Sequence, residues 1–413
     1  MPKPDATSTV QLSRATFLFP LALVLFEFSV YIGNDLVQPA MLKVTQDFNA
    51  SVDLAPSSMS LYLLGGACLA WLLGPLSDYY GRKKVLLGGV LFFTVCCLAI
   101  LFTQNIYQFL GLRFLQGIGL SFIGAVGYAA IQETFAENDA IKVMALMANV
   151  SLLAPLLGPV LGAVMIEYIS WHWGFVGIAI FSALSWLGLK SKMPERAPEV
   201  KYLSFTSIKK DFKAVISNKT FLGLSLGIPM LCMPLMLWIA LSPIILVEEL
   251  GLTATQYGLA QFPVLGGLIV GNIVLIKIID RFALGQTVLM GLPLMLIGTL
   301  IVLFGTIFQE FFLPCLIIGM SLLSFGEGIS FSVMYRFALM SSDVPKGAVA
   351  SVLSVVLMFS FFLIIEIVRL LYIEFSLWAY SLSCFVLITL WFSFPRSILK
   401  QVMKQRINQQ NSA

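Results

Sequence analysis

The chain has 413 residues, of which 59% are hydrophobic and only 11% are charged, and its mean hydropathy is +0.94. Soluble globular proteins carry about 25% charged residues, so this composition excludes that class and indicates an integral membrane protein. The net charge of +4 comes from basic residues that flank apolar windows instead of following a groove, which argues against nucleic-acid binding.

Twelve apolar windows follow one another along the chain, each close to the length of about 20 residues that crosses a bilayer as a helix. We therefore predict an all-α membrane protein with twelve transmembrane helices. The predicted spans are 16–40, 54–76, 85–104, 107–132, 141–166, 172–190, 219–247, 256–280, 287–307, 311–335, 347–369 and 376–395.

The basic residues predict the orientation, because Lys and Arg near membrane ends favour the cytoplasm. With the amino terminus inside, all but three of the 25 Lys and Arg residues fall on the inner side, so we predict that both termini are cytoplasmic. The exceptions are Lys43, Arg113 and Arg369. The longest polar stretch, 190–218, is predicted as a cytoplasmic linker. It would join a six-helix half at 1–189 to a second, pseudo-symmetric six-helix half at 219–413, which ends in a short cytoplasmic tail.

The first span carries two carboxylates, and each costs roughly 2.5–3.5 kcal/mol at the centre of a helix in lipid. Glu27, Tyr31, Asn34 and Asp35 stand at i, i+4, i+7 and i+8, so they form one stripe of the helix. We expect the stripe to face the protein interior, with Glu27 near mid-membrane. Since intramembrane ionisable residues mark ion or substrate paths, Glu27 and Asp35 are predicted to couple protons and bind substrate. Tyr31 and Asn34 are predicted to bind substrate with them.

The motif GPLSDYYGRKK follows the second span. Gly74 and Gly81 are predicted to permit a tight turn between two helices. Asp78 ends one helix and Arg82 begins the next, so that the carboxylate can meet the arginine or a helix N-terminus across the loop. A weaker version, IKIIDRFALG, recurs around Asp280, as expected if the two halves are repeats.

Two further motifs lie in the fourth and fifth spans. RFLQGIG places Arg113 at about the depth of Asp35, so we expect the two to interact directly or through water and to take part in proton coupling. APLLGPVLG contains Gly158 and Pro159, a pair that lets helices approach closely and kinks them, and we predict a conformational role.

The tenth span contains Glu327, roughly halfway along its length. A central cavity would then hold one carboxylate from each half, and Glu327 is predicted to couple protons and bind substrate beside Glu27. Glu366 is instead expected to form a local structural pair with Arg369. The remaining candidate pocket residues are Tyr62, Met147, Asn149 and Trp238. For Met147 and Trp238, simple helix packing is an equally good interpretation.

These motifs resemble the major facilitator superfamily. GPLSDYYGRKK is similar to its loop between helices 2 and 3, RFLQGIG to its membrane arginine motif, and APLLGPVLG to the Gly-Pro signature of its proton-driven exporters. FLFPLALVLFEFSVYIGNDLVQPAML and MALMANVSLLAPLLGP look very like its multidrug/proton antiporters of the MdfA type. Glu327 makes the chain most similar to the chloramphenicol exporters of the CraA type.

The resemblance implies a major facilitator fold and a proton-coupled antiporter of the bacterial inner membrane. It would export chloramphenicol, other phenicols and lipophilic neutral or cationic drugs by alternating access. We expect a monomer in the lipid bilayer, with no cofactor, metal or nucleic acid. Two alternatives stay open: a proton-coupled transporter of a single metabolite or siderophore, and a membrane-embedded enzyme or sensor. The second is disfavoured because the sequence shows no clustered nucleophile, base or metal set.

Overall fold

The structure is a computed structural model. It describes residues 16–195, 205–279, 281–282, 285–342, 344–393, 397 and 399. Only the backbone is described at 137–138, 141, 145, 148–152, 207 and 393. Every regular element within these ranges is a helix, which agrees with the predicted all-α class.

The helices follow the predicted windows in order. They are α1 Leu18–Asp35, α2 Met41–Asp47, α3 Ser57–Cys68, α4 Ala70–Tyr80, α5 Arg82–Ala99, α6 Ile106–Ser121, α7 Tyr128–Thr134, α8 Glu137–Tyr168, α9 His172–Lys192, α10 Phe205–Ser217, α11 Lys219–Pro243, α12 Ala254–Ile278, α13 Gln286–Ile307, α14 Phe312–Leu339, α15 Lys346–Phe375 and α16 Leu377–Ser393. Two π-helical segments continue these helices: Phe122–Gly127 joins α6 to α7, and Ile244–Glu249 extends α11.

Within the described residues, nine helices are long and apolar enough to cross a membrane. The segments Val52–Cys68 and Ala70–Tyr80 add a tenth span if they are counted as one helix bent by 44°. Two shorter apolar helices, Leu153–Tyr168 within α8 and Leu377–Phe392 within α16, coincide with the fifth and twelfth predicted windows. Together these segments are consistent with twelve spans.

The bend in the second span was not predicted. Leu69 leaves the helical region of backbone space, with φ −111° and ψ 1°, and thereby separates α3 from α4. The indole of Trp71 donates a hydrogen bond of 2.9 Å to the carbonyl oxygen of Cys68, which the break would otherwise leave without a partner. The predicted linker also holds a helix, α10, whose Phe212 ring packs edge-on against Trp71.

Glycines set the closest helix packing in both parts of the chain. A Cβ on Gly65 of α3 would lie 1.9 Å from the carbonyl oxygen of Phe114, and one on Gly117 of α6 would lie 1.8 Å from that of Tyr62. The same device recurs between α12 and α14, where a Cβ on Gly328 would lie 2.4 Å from the carbonyl oxygen of Leu268.

The recurrence extends to other helix pairs. The contacts α1 with α9 and α5 with α9 reappear, six spans later, as α11 with α16 and α13 with α16. This repeated packing is what two structural repeats would produce, while the division into six-helix halves at 1–189 and 219–413 stays a prediction.

One polar network joins α15 to the second span at the end of the bundle where α1 ends. Arg369 contacts Glu366 at 2.8 Å, as expected, and also contacts Asp53 at 3.2 Å. The hydroxyl of Ser60 donates a hydrogen bond to Glu366. The predicted local pair is therefore part of a contact between the first six spans and the last six.

A second polar contact bridges α8 and α12 at the same end. The carboxylate of Glu167 accepts hydrogen bonds from the backbone NH of Thr255 at 3.2 Å and from its hydroxyl at 2.9 Å. Because Thr255 lies in the first turn of α12, the carboxylate also meets the positive end of the helix dipole.

Candidate transport site

Both carboxylates of the first span are buried inside the bundle. Glu27 is 0% exposed and Asp35 is 4% exposed, although both lie on α1. Asn34, on the same stripe, is buried too, and Tyr31 is half-buried. The predicted stripe thus faces the protein interior. Carboxyl groups placed there, away from lipid and water, need specific partners.

Glu27 has one such partner, Tyr128 on α7, whose hydroxyl donates a hydrogen bond of 3.0 Å to Oε1. The second oxygen, Oε2, has no hydrogen-bond partner among the described residues. Tyr128 directly follows the π-helical segment Phe122–Gly127, and such segments are frequent at functional sites. Sequence reasoning missed Tyr128, for which the only signal was the small-residue run GAVG before it.

Asp35 and Arg113 do not form a direct ion pair, because the side chain of Asn34 stands between them. Asn34 Nδ2 donates to Asp35 Oδ1 at 3.0 Å, and Arg113 Nη2 donates to Asn34 Oδ1 at 3.4 Å. The predicted interaction therefore exists as a relay through the Asn34 amide and not as a direct contact. The amide can do this because it has a donor and an acceptor at its two ends.

The guanidinium of Arg113 is fully buried and held by neutral groups. Its Nε donates to Ser58 Oγ at 3.0 Å, and its Nη1 donates to the carbonyl oxygen of Gly33 at 3.0 Å and to Gln116 Oε1 at 2.7 Å. The ring of Tyr62 lies 4.5 Å from the guanidinium carbon, a cation–π distance. Hydrogen bonds and the ring thus replace the water that a buried cation loses.

Gly158 of the Gly-Pro motif packs directly against Asp35. A Cβ at Gly158 would lie 2.6 Å from the Cβ of Asp35, and one at Gly162 would lie 2.2 Å from the carbonyl oxygen of Leu36. Pro159 lies inside α8. The motif therefore brings α8 into backbone contact with α1 at the acid, and its conformational role stays a prediction.

Glu327 on α14 is 4% exposed and lies beside the thiol of Cys232 on α11. Its Oε2 has no hydrogen-bond partner among the described residues. The flanking glycines have a packing reason. A Cβ on Gly326 would lie 2.7 Å from the carbonyl oxygen of Gly291 on α13, while Gly328 packs on α12.

Aromatic side chains from the last six spans approach the acids of α1. Tyr335 on α14 lies near Tyr31 and Tyr128. Tyr257 on α12 lies near Asp35. Sequence reasoning missed both tyrosines, since neither lies in a recognisable motif.

The remaining predicted pocket residues are mostly buried among the helices. The hydroxyl of Tyr62 donates to the carbonyl oxygen of Val30 at 2.7 Å, and the indole of Trp238 donates to Gln261 Oε1 at 2.7 Å. Both side chains are almost fully buried, as is Met147. The side chain of Asn149 lies outside the described residues. A binding role for these four residues stays a prediction.

The loop motif forms a charged cluster. Arg82 Nη2 lies 2.5 Å from Asp78 and 2.7 Å from Glu133, so that the arginine ties the loop to α7. Gly81 has φ +94°, where a side chain would be strained, and this confirms its turn. Gly74 is not at the turn as predicted, because α4 continues through it to Tyr80.

Gly74 contributes to the cluster through its backbone, since its carbonyl oxygen accepts a hydrogen bond of 3.3 Å from Arg82. Asp280, in the weaker second copy of the motif, lies outside the described residues.

Residues 23–365 match the family model of the Major Facilitator Superfamily. The chain belongs to the Major Facilitator Superfamily. It is 67% identical over 401 residues to the chloramphenicol resistance protein CraA of Acinetobacter baumannii, covering 97% of each chain. It is 45% identical over 364 residues to the multidrug transporter MdfA of Yersinia pestis bv. Antiqua, covering 88% of this chain and 89% of the relative.

Solved structures of the superfamily share the fold at much lower identity. The E. coli xylose transporter XylE, in a partially occluded inward-open conformation, matches with a TM-score of 0.68 at 14% identity. That match covers 92% of this chain and 98% of XylE. The human organic anion transporter MFSD10 matches with a TM-score of 0.65 at 16% identity, over 94% and 99% of the two chains. The predicted family is confirmed. The chain is a multi-pass membrane transporter, not an enzyme.

Proposed function

We propose that this chain is a proton-coupled antiporter that exports chloramphenicol, other phenicols and lipophilic neutral or cationic drugs by alternating access. The observation that carries the proposal is the 67% identity to a chloramphenicol resistance protein along nearly the whole of both chains. The buried acids supply the chemistry, because carboxyl groups in the membrane interior are costly and are characteristic of proton pathways.

Asp35 is the proposed main proton carrier. Desolvation favours the neutral form of a carboxyl group, while a cation or a hydrogen-bond donor nearby favours the charged form. Asp35 is desolvated by burial, yet it is connected through Asn34 to Arg113. A rearrangement that alters the Asn34 relay would change the balance between these effects, so the acid can load a proton on one side and release it on the other.

Glu27 and Glu327 are the proposed substrate anchors, each with one oxygen that lacks a hydrogen-bond partner in the described structure. An unpaired carboxylate in a low-dielectric site attracts a lipophilic cation, whereas a neutral phenicol depends on hydrogen bonds and apolar contact. Both glutamates are buried in this conformation, so rocking of the two halves must open the site before a drug can enter.

The proposed setting is the bacterial inner membrane, with both termini cytoplasmic and the protein acting as a monomer. The halves would be 1–189 and 219–413, joined by the linker 190–218. The excess of basic residues at the ends of the spans supports this orientation. The end at which α1 ends is then the outer end.

The direct test is drug-induced proton release from purified protein in weakly buffered detergent solution. Chloramphenicol should release protons from the parent and none from Asp35→Asn, which should remain folded. Glu310→Gln is the matched control, because it also removes one carboxylate but from an exposed position outside the site. Undiminished release from Asp35→Asn would remove Asp35 from the coupling mechanism.

Substrate range separates the antiporter from the remaining alternative, a transporter of a single metabolite or siderophore. Expression in a drug-hypersensitive host should confer resistance to chloramphenicol and to chemically unlike lipophilic cations. A chain that protects against none of them would overturn the drug-export proposal.

A further inference from the structure

A cavity of about 550 Å³ lies at the predicted outer end, apart from the acids of the candidate site. Its wall comes from both parts of the chain. Pro39 and Ala50 line it from the region after α1, Ile166 from the end of α8, and Val247 and Tyr257 from the last six spans. This volume lies within the range of about 300–1,000 Å³ that is typical of small-molecule pockets.

The cavity adjoins the proposed proton site. Pro39, in its wall, follows Asp35 by one helical turn along the chain. Tyr257 both lines the cavity and lies near Asp35. Ile166 precedes Glu167, whose bonds to Thr255 join α8 to α12 beside the cavity. A molecule here lies between Asp35 and the outer solution and contacts both halves.

The charge of the cavity favours a cation. Lys43 and Glu248 both line it. Lys43 already pairs with Asp47 at 3.4 Å and donates a hydrogen bond to Gln46 at 3.1 Å, so its charge is largely balanced. Glu248 is exposed and takes part in none of the described ion pairs or hydrogen bonds. When Lys43 is counted with its partner Asp47, which lies outside the wall, the negative charge of Glu248 is in surplus beside an apolar wall.

We propose that this cavity, which we call the outer vestibule, is a second binding site that holds a lipophilic cation at Glu248 as it leaves the transporter. The inference rests on the proposed function, because it makes the vestibule the last binding site on the export path. Since the two halves form its wall together, their relative motion would change the shape of the site and release the cation. The site would be weak, as a single exposed carboxylate provides its charge.

The test uses a reporter cysteine, Ala50→Cys, in a variant whose six native cysteines are replaced. Purified protein is labelled with a small water-soluble thiol reagent at increasing tetraphenylphosphonium concentration. The cation should slow labelling in a saturable way. Glu248→Gln should raise the half-protecting concentration about three- to five-fold, the change that loss of one exposed charge pair produces. Lys43→Gln should lower it, because it removes a cation from the same cavity.

Three controls make the result specific to the vestibule. Gln309→Cys, an exposed reporter at the same end but outside the cavity, should not be protected, and Glu310→Gln should leave protection at Ala50→Cys unchanged. Protection should also persist in Glu27→Gln, which weakens the proposed central site instead. If Ala50→Cys does not fold, Val52→Cys lines the same cavity and replaces it.

The vestibule proposal is overturned if tetraphenylphosphonium does not slow labelling. It is also overturned if Glu248→Gln and Glu310→Gln have the same half-protecting concentration. Its failure is distinguishable from failure of the proposed function. Protein that releases protons on drug addition but shows no protection remains an antiporter without an outer site. Protection without drug-induced proton release would leave a binding site on a chain that is not the proposed antiporter.

Discussion

Arg113 is the most heavily constrained side chain of the candidate site. Its donors are shared among Ser58, Gly33, Gln116 and Asn34, all buried. None of these partners carries a charge, so they do not neutralise the guanidinium. Among these contacts, the relay through Asn34 is the one that connects it to Asp35. A residue in this position acts on proton coupling through the shape of its hydrogen-bond fork as much as through its charge.

We predict that Arg113→Ala and Arg113→Lys both abolish drug-induced proton release. Alanine leaves several buried acceptors without a donor, at about 1–3 kcal/mol for each unsatisfied group, so it should also lower the thermal stability in detergent. Lysine should restore little proton release, because a compact ammonium cannot reach all four hydrogen-bond partners.

Arg336→Ala is the matched control, since it removes an exposed arginine from α14 and should leave both measurements near the parent values. Full activity in Arg113→Lys would show that charge alone suffices and that the hydrogen-bond fork is unnecessary.

Glu27 and Glu327 are predicted to contribute differently to substrate choice. Glu27→Gln should weaken export of tetraphenylphosphonium more than export of chloramphenicol, because only the cation gains from a full negative charge. Glu327→Gln should lower export of both if that acid also carries a proton. Export by everted vesicles, measured with both drugs, gives the comparison.

Tyr128→Phe refines this prediction, because it removes the hydrogen bond to Glu27 without removing the acid. Tyr128→Phe should also weaken export of tetraphenylphosphonium more than export of chloramphenicol, but by less than Glu27→Gln does.

A reporter cysteine at Glu327→Cys tests the geometry of the tenth span. If thiol reagents fail to label it in both drug-free and drug-bound protein, Glu327 does not line the cavity.

The residues that sequence reasoning identified and those it missed differ in kind. Glu27, Asp35 and Glu327 stand out because an acid in an apolar window has no other common explanation. The bridging geometry of Asn34 depends on a rotamer and on a helix 79 positions away in sequence, which no pattern in one chain encodes. Tyr128 was missed because a tyrosine in a span is ordinary until its partner is known.

At the scale of helices, apolar length predicted the spans well, since a membrane helix must satisfy its own backbone and needs enough apolar residues to cross. Local breaks were not predicted. The bend at Leu69 and the π-helical segment before Tyr128 occur within uniformly apolar sequence, where composition does not distinguish helix from interruption. Gly74 was assigned to a turn by composition, although only Gly81 has the backbone conformation that demands glycine.

Close packing of α3 on α6 yields a prediction with an internal control. Gly117→Ala should destabilise the protein by about 1–3 kcal/mol, the usual cost of overpacking, because its Cβ would overlap the carbonyl group of Tyr62. Gly111→Ala, on the same helix, meets nothing within 4 Å and should be neutral or slightly stabilising.

Thermal unfolding in detergent, together with the yield of folded protein, measures the difference between the two variants. Equal stability of Gly117→Ala and Gly111→Ala would mean that α3 and α6 can separate without loss, contrary to the packing described.

At the scale of the whole molecule, the two parts of the chain meet at the predicted outer end through two polar contacts. Arg369 bridges Asp53 and Glu366 on one flank, and Glu167 accepts hydrogen bonds from Thr255 on the other. Helices α3 and α15 pair on the first flank as α8 and α12 pair on the second. Since the acids of the candidate site are also closed off from solvent, both contacts belong to a conformation in which the outer end is shut.

Breaking one of these contacts should therefore shift the population toward outer-open protein. We predict that Arg369→Ala raises the ratio of outer-open to outer-closed molecules by a factor of about five, which corresponds to about 1 kcal/mol, the upper range for such pairs. Nitroxide labels at Gln104→Cys and Gln309→Cys, two exposed positions between helices at this end, report the opening as a longer distance between them. Lys142→Ala is the matched control, because it breaks an ion pair with Asp139 inside a single helix and should leave the distance distribution unchanged. If Arg369→Ala gives the same distribution as Lys142→Ala, the Arg369 network does not hold the outer end closed and only ties α15 to its neighbour.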